Sequence, residues 1–281
     1  PARSEMCIRD RLSVYAIDPD YGPNPDLTYQ WTIPPDSGTL DDPFSATPIF
    51  TPTDVSSNTD YQFEVEVYDG ESVISGSMDM TIIDAGITSG QLLLQEHFDT
   101  GMPAGWSIVD EGTQDAPSSW TANAGLLQQL SNLYGGLAGT SAGFQLPKPG
   151  TYLYYEAGTA WRHYTTHLSL RSDDDDALGL MFRMVDANNY YRFSWDKQRG
   201  YRRLVKKVGG TFSLLAQDEV VYETGRTYQL DVLAQNDLIE VRIDGEVVFS
   251  VQDASLAHGS IATYSWGNVG AVFDDIIVEA M

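Results

Sequence analysis

The pattern that most restricts this chain is alternation. Short runs place apolar residues at every second position, and Gly, Pro, Asn or Asp ends each run. Tyr61-Gln-Phe-Glu-Val-Glu-Val-Tyr68 sets Tyr61, Phe63, Val65 and Val67 on one face and Glu64 and Glu66 on the other. Residues 29–33 and 77–83 alternate in the same way. Further on, Asp244-Gly245 separates two alternating runs, a pair suited to a type I′ hairpin because both turn residues need positive φ. Gly209-Gly210 marks a second hairpin. No long helical period interrupts the series, so the expected fold class is all-β.

Charge divides the chain. Residues 12–90 hold 14 acidic residues and no Lys or Arg, whereas residues 91–281 hold 24 acidic and 13 basic ones. Between them, Asp84-Ala-Gly-Ile-Thr-Ser-Gly90 is small and glycine-rich. The expected organisation is a β-sandwich over 12–84, a linker over 85–93 and a jelly roll over 94–281. Residues 4–11, SEMCIRDR, resemble translated adapter read-through from environmental DNA assemblies, so 1–11 is expected to be a non-native tail. Cys7 is the only cysteine and lies there, which leaves the rest without disulfide or thiolate metal chemistry.

The formal net charge of −24 excludes general nucleic-acid binding and attraction to anionic lipid. No run of about 18 apolar residues exists to span a membrane.

Two local features carry candidate chemistry. Asp173, Asp174, Asp175 and Asp176 are consecutive between two strand runs, where their mutual repulsion would be relieved by Ca²⁺, a cation with six to eight oxygen ligands. A solvated acidic loop is the plainer reading. Residues 190–207 hold most of the basic residues of the second domain, interleaved with aromatics. On a strand, Tyr191, Phe193 and Trp195 share one face, while Tyr190 and Arg192 take the other. With Arg202, Trp161, Tyr164, Arg183, Tyr264 and Trp266, the second face is a candidate platform for a polysaccharide or glycan, acidic or sulphated. Sugar rings stack on aromatics and guanidinium pairs with carboxylate or sulphate. The competing reading is a salt-bridged hairpin with core aromatics.

Other motifs fail on context. His163 and His167 lie about 13 Å apart on a strand, too far to share a metal. Gly139-Thr-Ser-Ala-Gly143 fits GxSxG but lacks the strand before it and the helix after it. Glu240, Asp244 and Glu246 straddle a hairpin rather than a cleft.

Two resemblances add to this. AIDPDYGPNPDLTYQWT, FTPTDV and YQFEVEVYDGE resemble the PKD/cadherin-like immunoglobulin-type repeats, though without the Trp-Asp-Phe-Gly-Asp-Gly stretch common in PKD domains. Asp18, Asp20, Asp69 and Glu71 would match a cadherin-like calcium site there, or be plain turn residues. EHFDTGMPAGWSIVDEG, LIEVRIDGEVVFS and FDDIIVEA resemble the concanavalin A-like and laminin-G-like jelly rolls, including keto-disaccharide hydrolase-like and thrombospondin C-terminal lectin-like domains. That resemblance implies calcium near the acidic loop or at joined terminal strands, where Glu96, Asp99, Asp274 and Asp275 would be the ligands. The expectation is a secreted or cell-surface, calcium-dependent, non-catalytic carbohydrate-binding or adhesion module beside neighbouring domains of a larger parent protein. The alternatives are a glycoside hydrolase or lyase on the jelly roll, and a purely structural adhesin repeat.

Overall fold

The structure, a computed structural model, describes residues 10–16, 27–53, 55, 59–82 and 90–281. Cys7, Asp18, Asp20 and residues 85–89 of the expected linker lie outside these. The chain divides between Thr88 and Ser89 into two units. Among the described residues there are strands and two short 3-10 turns, and no helix is long and apolar enough to cross a membrane.

The first unit holds β1 (Asp10–Arg11), β2 (Thr28–Thr32), β3 (Gly38–Leu40), β4 (Ile49–Pro52), β5 (Thr59–Tyr68) and β6 (Val73–Ile82). They form two three-stranded sheets, β1-β4-β3 and β2-β5-β6. The alternation of β5 turns Phe63 and Val65 inward, where they meet Leu12, Trp31, Phe50 and Ile82 from both sheets. Phe50 and Phe63 pack edge to face at 4.8 Å. This is a β-sandwich. Within the expected non-native tail, Asp10 and Arg11 pair with Phe50 and Ile49, and Leu12 follows directly into the core.

The second unit holds fifteen strands: β7 (Leu92–Glu96), β8 (Trp106–Asp110), β9 (Trp120–Asn123), β10 (Leu126–Gln129), β11 (Thr151–Tyr155), β12 (Tyr164–Ser172), β13 (Ala177–Asp186), β14 (Asn189–Asp196), β15 (Tyr201–Val208), β16 (Thr211–Asp218), β17 (Tyr228–Gln235), β18 (Leu238–Ile243), β19 (Glu246–Gln252), β20 (Ser260–Trp266) and β21 (Ala271–Ala280). One sheet runs β19-β18-β17-β12-β21-β10-β9, with β7 also on β21, and the other runs β16-β15-β14-β13-β20-β11-β8. Asp244 and Gly245 take the positive φ expected of their hairpin, 52° and 84°. The inner faces interlock through Phe193 on Phe249 at 6.3 Å and Trp195 on Tyr228 at 4.8 Å. The architecture is a jelly roll.

The outer face of the seven-stranded sheet is dry at its centre. Strand β20 is buried throughout, and β13 and β14 nearly so, although an antiparallel sheet commonly leaves one face to water. The cause is a strap, residues 133–150, laid across that face. It includes the 3-10 turn Thr140–Phe144 and sinks Ala142 among Met181, Tyr190, Tyr264 and Trp266. The sheet also curls. Lys207 Nζ on β15 lies 3.4 Å from Glu111 Oε1, just beyond β8, although five strand spacings separate β8 from β15. Across a flat sheet that separation would be roughly 24 Å.

Gly179 tests the tightness of this packing. A Cβ there would meet the Phe193 carbonyl oxygen at 2.0 Å, between strands paired on both sides. Gly179→Ala is expected to destabilise the second unit by on the order of 3 kcal/mol. Gly200→Ala, whose Cβ meets nothing within 4 Å, bears only the strain of its 69° φ, about 1 kcal/mol. Thermal melting of the two variants checks the contrast.

Candidate functional site

The aromatic and cationic strip expected to face solvent is sealed. Tyr190 and Arg192 do share the outer face of β14, but the strap covers them. Arg192 donates to the carbonyls of Leu146 at 2.7 Å and Pro147 at 3.0 Å, and its guanidinium stacks 4.4 Å from the Tyr264 ring. Tyr264 donates to the Lys148 carbonyl at 2.7 Å, and Trp266 to that of Gly135 at 3.1 Å. Tyr190 lies beneath Lys207 and Phe212. Trp161 is wedged between Tyr155 and Tyr164, and the Tyr164 hydroxyl bonds the Gly259 carbonyl. Arg183 is fully buried and donates to the carbonyls of Arg162, Asn236 and Leu256. Arg202 is tied to Asp218 at 2.6 Å. The strap covers Tyr190, Arg192, Tyr264 and Trp266, while Trp161, Tyr164 and Arg183 are buried elsewhere in the unit and Arg202 is held by Asp218.

The four-aspartate loop is partly compensated from within. Arg171 pairs with Asp173 at 3.1 Å. Asp174 accepts the backbone N–H groups of Asp175 and Val269, both at 2.8 Å. Asp176 is salt-bridged to Arg199, and burial nonetheless pushes its carboxyl up. The carboxylates of Asp174, Asp175 and Asp176 lie within 4.8 Å of one another. As a calcium cradle this is weakened by Arg199, whose positive charge is already paired with Asp176.

The terminal strands offer a better-formed group. Strand β7 pairs with β21, which brings His97 and Asp99, just past β7, to Asp274 and Asp275. Ligand atoms of His97, Asp274 and Asp275 fall within 4.8 Å of one another. Glu96 is diverted: its carboxylate accepts the Phe98 N–H at 2.7 Å. A bulge aims the two aspartates. His167 pairs with Ile277 but Ser169 pairs with Asp274, so β21 carries an extra residue against β12. Asp275 sits there at φ 50°, a conformation that disfavours residues other than glycine. His97 Nδ1 lies 2.8 Å from Asp275 Oδ1, and that bond holds the imidazole above its ordinary value. Burial raises Asp274.

Beside the bulge, the outer face of the eight-stranded sheet has an open depression of about 130 Å³, lined by Leu126, Ser169, Leu170, Arg171, Thr227, Val272, Phe273 and Asp274. Arg171 Nε is buried there without a partner, a donor left over once Nη2 binds Asp173. Sequence reasoning missed His97, Ser169, Arg171 and Thr227. The imidazole of the Glu96-His-Phe-Asp99 string was a usable signal, but the bulge that gathers the others has none.

No family model matches the chain, and no curated protein matches it. Solved structures do. A protein of unknown function with a galectin-like fold from Bacillus subtilis is 11% identical, with a TM-score of 0.52 over 69% of this chain and 97% of that one. The carbohydrate binding module CBM66 from Bacillus subtilis is 19% identical, with a TM-score of 0.47 over 63% and 96%. A prokaryotic beta-1,3-1,4-glucanase (lichenase) derived from a mouse hindgut metagenome is 11% identical, at 0.47 over 67% and 99%. At these identities the likeness is one of fold, and the first of the three places the second unit among galectin-like jelly rolls.

The His97–Asp275 bond predicts a pH dependence. A histidine whose folded value is raised stabilises fully below its unfolded value, about 6.5, and the contribution fades as pH rises through the folded value. In metal-free buffer, NMR titration is expected to place His97 above 6.5, and Asp275→Asn to return it towards 6.5.

Proposed function

We propose that the second unit is an extracellular carbohydrate-binding module that takes one ring of a neutral glycan in the depression beside the β12–β21 bulge. The observation that carries this reading is one open depression whose lining brings apolar residues (Leu126, Leu170, Val272, Phe273) together with polar ones (Ser169, Arg171, Thr227, Asp274). A sugar ring has the same two characters, with C–H faces and a circumference of hydroxyls. The exposed part of the Arg171 guanidinium supplies donors, Asp274 acceptors, and the serine and threonine hydroxyls both.

The ligand is neutral rather than acidic or sulphated, on this reading, because six of the seven cations once expected to meet it are engaged within the fold. Arg192 and Arg203 bind strap carbonyls, Arg199, Arg202 and Lys206 bind aspartates, and Lys207 binds Glu111. The net charge of −24 repels an anion further. Calcium is assigned to the terminal-strand group, where Asp99, Asp274 and Asp275 would supply oxygens and fix Asp274 in the lining of the depression. The first unit, a small sandwich, is read as a spacer between domains of a surface protein.

Affinity electrophoresis through gels of neutral and sulphated polysaccharides tests the reading. Retardation is expected on a neutral polymer, and Asp274→Ala is expected to weaken it at least about tenfold, the value of one charged hydrogen bond. Retention on sulphated gels alone would reverse the assignment, and sugar release at low protein concentration would make the unit a glycoside hydrolase or lyase. Calcium added after chelation is expected to raise the melting temperature, and Asp275→Asn to remove the effect. An unchanged wild-type melt would remove the ion.

A further inference from the structure

Beneath the strap lies a pair of groups that binding does not use. Lys148, on the strap, reaches Asp196 at the end of β14, with Nζ 2.5 Å from Oδ2. Both side chains are sealed, at 1% and 0% exposure. Aromatic rings enclose the amine: Trp266 at 4.3 Å and Tyr201 at 5.0 Å from Nζ to the ring centre. The other carboxylate oxygen, Oδ1, accepts the backbone N–H of Arg199 at 2.9 Å and faces its guanidinium at 3.4 Å. Lys148 is also held at φ 37°, in the left-handed region. We propose that Lys148 and Asp196 condense into an intramolecular amide that locks the strap to the sheet.

The chemistry balances without any co-reactant. Within the existing hydrogen bond Nζ passes one proton to Oδ2, which leaves a neutral amine against a neutral carboxylic acid. The nitrogen lone pair then forms a bond to Cγ. Negative charge develops on Oδ1, where the Arg199 N–H and guanidinium stand as an oxyanion hole. A second Nζ proton passes to Oδ2, the Cγ–Oδ2 bond breaks, and water leaves. The third proton remains as the amide N–H.

Three physical facts favour this course. A buried ion pair bears a heavy desolvation cost, which the neutral amide escapes. Held groups react as if at enormous concentration, with effective molarities reaching roughly 10⁵–10⁸ M. The strap also excludes the water that would hydrolyse the product. Burial, with Arg199 and Arg203 nearby, brings the Lys148 ammonium down to about 7 against the pull of Asp196, so the free amine is accessible at neutral pH.

Mass spectrometry of the denatured full chain decides the matter. The expected mass is one water below that of the sequence, and proteolysis should yield a branched peptide joining the Lys148 and Asp196 segments. Lys148→Arg, which keeps the charge but cannot condense at Nζ, should restore the full mass and lower the melting temperature. Water can also be lost as a succinimide at Asp244-Gly245, so position is decisive. A chain that melts cooperatively yet gives only separate linear peptides for the two segments overturns the proposal, whatever its total mass. Should Lys148→Arg fail to fold, the wild-type peptide map alone still decides.

Discussion

The second unit depends on guanidinium groups that serve backbone carbonyls. Arg192 and Arg203 rise from neighbouring strands and donate to Leu146, Pro147, Gln145 and Gly143, a stretch with no regular partner of its own. A loop buried over a sheet would otherwise leave these carbonyls unsatisfied, at roughly 1–3 kcal/mol each. Charge-assisted donors make the strap part of the core, and the rings beneath it become packing. Some loss is tolerated in return: Tyr190 and Tyr201 hydroxyls and Arg192 Nε are buried there without partners.

That arrangement closes one face of the jelly roll to a ligand. With one sheet roofed, the open surface is the outer face of the other, and there the ladder is broken by a bulge. The same irregularity places an aspartate at positive φ, turns its neighbour towards a depression and draws in an imidazole from the first strand of the unit. The His97, Asp274 and Asp275 cluster and the depression thus lie side by side where strands β7 and β21 pair.

The two-unit, all-β plan was legible because it rests on local signals. Alternation in residues 61–68 predicts β5 with its inward face, and Asp244-Gly245 predicts the β18–β19 hairpin. The faces of β14 were read correctly as well, since strand parity is a property of the residues themselves. What covers a face is not. The strap owes its position to contacts between residues some fifty apart, such as Arg192 with Leu146 and Pro147, and its own sequence reads as an ordinary glycine-rich loop. For the same reason the aspartate run looked like a site starved of cations, when Arg171 and Arg199 fold back to meet it. The His97 group was half visible, through the acids at both ends of the domain, but the bulge beside Ser169 is a matter of register between distant strands.

The double covering of β13, β14 and β20 has a dynamic consequence. Their backbone amides are shielded on one side by the partner sheet and on the other by the strap, so no small fluctuation admits solvent. Deuterium reaches them only through global opening of the jelly roll. These three strands are therefore expected to exchange most slowly in the unit.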